Sequence, residues 1–175
     1  QYDCGCRSEY VRFLWRPIMA DKRIVYQGED GIAKVVVPAP KFLAEGNTLD
    51  DVLKKSVPEN CRDSADIVDV DTVESDRTFR NAWITSKGKS TEVDLDKSKV
   101  IAKEKVRQAR IPKFQELDIA YQRADEAGDA DAKAAVVVKK QTARDATADT
   151  KITNADSVAN LKTGMTEVIT EITDL

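Results

Sequence analysis

The chain has 175 residues, 41% of them apolar and 34% charged, a balance that excludes wholesale disorder and fits two small units with thin cores. A net charge of -3 gives no general pull toward nucleic acid or anionic lipid, and no run of ~18 apolar residues is present to span a bilayer, so the chain reads as soluble. Histidine is absent, which removes the commonest general base near neutral pH and the commonest ligand of catalytic zinc. Cys4, Cys6 and Cys61 lack paired metal spacing and read as free thiols of a reducing cytoplasm.

Residues 1–18 differ from the rest, with two cysteines, Trp15 and the arginines Arg7, Arg12 and Arg16. The segment is too short and too charged for a secretory signal, and Met19 reads as a natural start, so 1–18 is expected to be an extension of unknown role. Next, Arg23 to Gln27 and Ile32 to Val37 flank Gly28-Glu29-Asp30-Gly31, the pattern of a hairpin. Thr48 can cap a helix from Leu49 to Lys55 that Pro58 stops, and Ala65 to Val73 alternates as a third strand. The fold class predicted is therefore α+β, a small N-terminal β-β-α-β unit over residues 19–83, followed by a helical hairpin arm.

The arm begins with a second hairpin around Lys87-Gly88, after which Asp94 or Asp96 caps a helix to about Arg110. Pro112 lacks an N–H and is expected to end or kink that helix. A second helix then runs from Lys113 to Ala127 with Phe114, Leu117, Tyr121 and Ala124 on one stripe, and Gly128 closes it. Asp129 caps a third helix to Asp145, which carries Ala134, Val137, Val138 and Gln141 and pairs back on the second. The arm spans 84–147. Residues 148–175 form the last segment, a polar linker to Asp156 and then a helix capped by Ser157 with Val158, Leu161, Met165, Val168, Ile169 and Ile172 in a stripe broken by Gly164. That stripe calls for a partner surface, in this chain or in another.

The polar clusters read as structural. Asp66, Asp69, Asp71 and Glu74 alternate with apolar residues as the wet face of a strand, and no calcium-loop pattern is present. Lys99, Lys103, Arg107 and Arg110 could line a ridge facing phosphates, but Glu104 balances them and no aromatic residue interleaves, so a solvated face is favoured. Gly88-Lys89-Ser90 lacks the earlier glycine of a phosphate loop and reads as a turn. The candidate interaction or packing residues are Phe79, Trp83, Phe114, Leu117, Tyr121, Leu161 and Met165. Phe79 and Trp83, four apart, would share a face on a helical turn and could anchor the β unit to the helical arm that follows.

Several stretches carry a resemblance: Arg23 to Gln27, Val37-Pro38-Ala39-Pro40, Val57-Pro58, Ser75 to Trp83 with its Arg-Asn-Ala-Trp, Leu117 to Asp129, and Lys140 to Asp145. Their order resembles a group of small, mostly uncharacterised tail-region proteins of tailed bacteriophages, over roughly Lys22 to Thr147. More distantly it is similar to the C-terminal part of tail fibre assembly proteins, chaperones that bind the distal end of a fibre. The resemblance implies a non-enzymatic protein without cofactors or metals, located in the virion or the host cytoplasm. Its implied partner is a phage tail, fibre or other virion protein, with self-association as an alternative. A capsid or neck component is the second reading, and a small nucleic-acid-binding regulator the third.

Overall fold

Strand β1 (Lys22–Gln27) and strand β2 (Ala33–Val36) form the first hairpin, with Gln27 opposite Ala33. Its loop closes through Gly28 N–H to the Ile32 carbonyl at 3.0 Å, and the Asp30 carboxylate accepts from Ile32 N–H at 3.1 Å. Gly31 sits at φ 71°, where a side chain is disfavoured, so the Asp-Gly pair marks the turn for a backbone reason. The computed structural model describes residues 21–175. The extension read at 1–18, with Cys4 and Cys6, and the start read at Met19 lie outside those residues.

After β2 come a short helix α1 (Pro40–Ala44) and the expected helix α2 (Leu49–Ser56). Thr48 and Asp51 make a reciprocal capping box: Thr48 Oγ1 accepts from Asp51 N–H at 3.2 Å and the Asp51 carboxylate accepts from Thr48 N–H at 2.8 Å. At the other end, Arg62 donates to the Lys54 carbonyl at 2.7 Å and to the Val57 carbonyl at 3.3 Å, tying off carbonyls that α2 leaves unpaired. Strand β3 (Asp66–Asp69) pairs antiparallel with β1, giving the order β2-β1-β3. The third strand was expected to run to Val73; it is shorter, because the chain turns into a 3-10 helix at Val70–Thr72.

Alternation along β1 builds two buried faces. Ile24 is wholly buried among Val52, Val57, Cys61 and Ala65, the core made with α2 and the 3-10 turn at Glu59–Ser64. Val25 and Ala33, which face the other way, are equally buried. Hydrogen bonds tie residues 80–88 to all three strands: Arg80 to the Ala33 carbonyl (2.7 Å), Thr85 N–H to the Gln27 amide oxygen (2.9 Å), and Gly88 N–H to Asp66. This segment contains β4 (Trp83–Ile84), which pairs with β5 (Glu92–Val93) in the second hairpin. The chain divides into two compact units, the first ending at Val93 and the second spanning Asp94–Leu175. The boundary therefore falls after the second hairpin rather than at Trp83/Ile84, since that hairpin completes the sheet unit.

The second unit is helical. Asp94 caps α3 (Leu95–Glu126), accepting from Lys97 N–H at 3.0 Å. Pro112 lies inside this single helix, so the expected division into helices before and after it is corrected. A proline in a helix interior costs about 3 kcal/mol, which packing on either side offsets: Ala102 and Val106 are buried before it, Leu117 and Ala124 after it. Helix α3 ends in a Schellman motif, with Gly128 at φ 69°, Gly128 N–H bonded to the Asp125 carbonyl and Asp129 N–H to the Ala124 carbonyl. Asp129 also caps α4 (Ala130–Asp145), accepting from Ala132 N–H at 2.9 Å, so the two helices reverse through one tight turn.

Residues 146–156, expected to be a linker, contain two short helical pieces. A 3-10 turn at Ala146–Ala148 leads into α5 (Thr150–Thr153), capped by Asp149, with Ile152 wholly buried. Ser157 caps α6 (Val158–Thr173) as expected, and its Leu161, Met165, Val168 and Ile172 are buried against the unit's own helices. The stripe's partner is thus in this chain. Its interruption has a cause, because a Cβ on Gly164 would lie 2.6 Å from the Lys151 carbonyl oxygen. The glycine lets α5 and α6 touch backbone to backbone. The 148–175 segment belongs with the helical unit.

The acid limb of stability carries a testable signature of the Thr48 cap. Hydrogen bonds from the Thr48 hydroxyl and backbone hold the Asp51 carboxyl below its ordinary range. A carboxyl depressed on folding stabilises the fold above its unfolded value of about 3.9, and that contribution is lost as pH falls through the lower folded value. Asp51→Asn is expected to flatten the fall in stability below about pH 4, measured by urea unfolding at stepped pH; an unchanged slope would mean the box contributes nothing.

Candidate functional site

Phe79 and Trp83, the expected anchors, are both almost wholly buried in the sheet unit. A 3-10 turn at Arg80–Ala82 lies between them, so they are not on an α-helical turn, and Trp83 already belongs to β4. The Arg80 guanidinium lies 4.3 Å from the centre of the Trp83 ring while its Nη1 bonds to Ala33. Burial pushes the Arg80 guanidinium below its ordinary value. Trp83 Nε1 is buried without a hydrogen-bond partner among the described residues. Both side chains are therefore turned away from solvent.

In the helical unit, Phe114 and Tyr121 project from α3 one heptad apart, and each ring meets two cations. Arg110 and Arg144 lie 5.8 and 5.7 Å from the Phe114 ring centre, and Lys133 and Lys140 lie 5.1 and 4.7 Å from that of Tyr121. Lys140 also pairs with Asp118 at 2.7 Å, and Lys133 with Asp125. The α3–α4 seam is thus made of rings, cations and small residues, with Leu117, Ala124 and Ala143 buried in it. This corrects the stripe read for α4: Ala134, Val137, Val138 and Gln141 are exposed, and Val136, Lys140 and Ala143 turn inward instead. Lysine stems bury methylenes along the rings while their ammonium groups reach the acids. Leu161 and Met165 are core residues of α6.

Of the four cations expected to form a solvated face, three have partners within the unit. Lys99 donates to the Thr153 carbonyl at 3.1 Å, Arg110 to the Arg144 and Ala143 carbonyls at 3.1 and 3.4 Å, and Arg107 pairs with Glu104 at 3.2 Å. The Gln108 amide and the Arg107 guanidinium hold Glu104 below its usual range. Lys113 donates to the Thr173 carbonyl at 3.0 Å. Three cations of α3 therefore reach the C-terminal ends of α5, α4 and α6, where carbonyls are unpaired and the helix dipole is negative. Sequence spacing gave no sign of this, because the carbonyls concerned lie ~30 to 60 residues away.

The acidic group is similarly engaged: Asp69 pairs with Lys22 at 2.7 Å, Glu74 accepts from Asp76 N–H at 2.8 Å, and Asp66 accepts from Gly88 N–H. Among the described residues no group of three or more Cys, Asp or Glu is placed to hold a metal ion, and Cys61 is a buried free thiol. Gly88 sits at φ 78° in a turn closed by Lys89 N–H to the Ser86 carbonyl, as its sequence suggested. No helix among the described residues is long and apolar enough to cross a membrane.

Val37 in the sheet unit and Val100 on α3 are large apolar side chains open to solvent. Val137 and Val138 on α4, and Ile111 and Ile119 on α3, are all about half exposed or more. No family model, curated protein or solved structure matches the chain.

Proposed function

We propose that this protein is a non-enzymatic assembly factor or virion-associated protein of a tailed bacteriophage, acting by contact with a tail or tail-fibre protein. The observation that carries the reading is the outer face of α4, where Val138 is 66% and Val137 48% exposed although both are β-branched and gain nothing from water. The resemblance across Lys22 to Thr147 supports a phage partner. The use of the charged clusters in caps, turns and ion pairs favours contact over chemistry.

The test is co-purification of tagged protein with tail and fibre proteins from an infected lysate, with Val137→Glu and Val138→Glu together as the variant. The expected result is at least a tenfold loss of the complex with thermal stability unchanged, because exposed substitutions away from special features shift stability by about 0.5 kcal/mol or less. Equal capture by the variant would overturn the role of α4. Many copies in purified particles would make the protein a capsid, neck or tail component rather than a transient chaperone.

A further inference from the structure

We infer that Pro112 is the pivot of a clasped hinge, about which the arm made by α4 and the far part of α3 swings relative to the near part of α3 with α6. Three observations within the helical unit lead there. First, Pro112 has no N–H to donate to the Gln108 carbonyl, so the ladder of α3 lacks one bond at that point. Second, the packing changes partner at that point. Lys99 reaches Thr153 at the end of α5, just ahead of α6, and Lys113 reaches Thr173 at the last residue of α6, so α6 follows α3 on the near side of Pro112. Beyond Pro112 the neighbour is α4, through Phe114, Asp118, Tyr121 and Asp125. Third, Ile111 is 49% exposed and Pro112 is exposed, so no packed side chain bridges the proline on its outer side.

The residues next to the proline cross over. Arg110, before it, holds the end of α4 beyond the pivot, and Lys113, after it, holds the end of α6. Lys139 of α4 also donates to the Leu175 carbonyl. Each of these bonds runs from one side of the pivot to the other. They are cation-to-carbonyl bonds near the surface, weakened by salt, which suits a clasp that opens and recloses better than a buried weld. Kinked helices bend at proline because the missing bond leaves a local soft point.

Backbone N–H residual dipolar couplings, measured on the full chain in a weakly aligning medium, test the hinge. The two parts of α3, before and after Pro112, are expected to require separate alignment tensors, with that of the arm smaller by roughly a tenth or more from averaging faster than milliseconds. Pro112→Ala restores the N–H and is expected to bring both parts under one tensor. The pair Arg110→Met and Lys113→Met is expected to widen the difference. A single tensor for the wild-type helix, or two tensors that Pro112→Ala leaves unchanged, would overturn the hinge. An unaltered difference in the Arg110 and Lys113 variant would remove the clasp.

Discussion

Truncating Ile152 to alanine is expected to destabilise the helical unit by about 2–5 kcal/mol, the usual cost of emptying a fully buried aliphatic site. Ile152 is wholly buried on the four-residue helix α5, too short to persist without tertiary contacts. Gly164→Ala gives the complementary reading, and its sign is diagnostic. Alanine in an exposed helix interior gains about 1 kcal/mol over glycine, but here its Cβ would meet a backbone oxygen 2.6 Å away, which has no flexible end to move. Overpacking of this kind costs about 1–3 kcal/mol, so net destabilisation is expected in denaturant unfolding followed by circular dichroism. A stabilised Gly164→Ala protein together with a silent Ile152→Ala would mean that α5 is not docked on α6.

Trp83→Ala is expected to cost the sheet unit about 3–5 kcal/mol, as removal of a buried aromatic does. Trp83→Phe separates ring from donor. It removes an Nε1–H that meets no partner among the described residues, whose burial costs about 1–3 kcal/mol, while keeping a ring under Arg80. The phenylalanine protein should therefore fall within about 1 kcal/mol of wild type. A loss as large as alanine's would show that the indole N–H has a partner that matters.

The sheet unit was the more legible half of the sequence, because its signals are local. An Asp-Gly turn between alternating runs, a Thr-x-x-Asp box and a stopping proline each act over a few residues and fix the hairpin and α2. The fold class, a β-β-α-β unit followed by a helical hairpin, follows from them. Three features of the helical unit depended on contacts that no window contains. Pro112 argues for an end of the helix, yet the helix continues through it with buried residues on either side. The Thr- and Asp-rich run after Asp145 looks unfoldable until Ile152 and Gly164 are seen to fit together. In α4, counting apolar letters selected Val137 and Val138, while the inward positions include Lys133 and Lys140, whose burial is intelligible only once Tyr121 and its acids face them. Of the seven candidate residues, Phe79, Trp83, Leu117, Leu161 and Met165 lie in cores, and Phe114 and Tyr121 hold the seam. Val137 and Val138 carry no local mark of exposure, because an apolar letter in a helix has the same pattern whether it faces a core or solvent.

The cations at Lys99, Arg110 and Lys113 turn α3 into a ruler. Along an α-helix each residue advances about 1.5 Å and turns about 100°, so the spacing of these three positions sets where three other helices must stop. A substitution at one position loses one tie. Deleting a single residue between Lys99 and Arg110 swings everything beyond it by that same angle, carrying Lys113 away from the α6 carbonyl it meets while α4 moves with the far part of α3. Sequence change along this helix is thus cheap in letters and costly in length, since even a heptad insertion, which leaves an angular drift of only about 20°, moves the marks apart by about 10 Å.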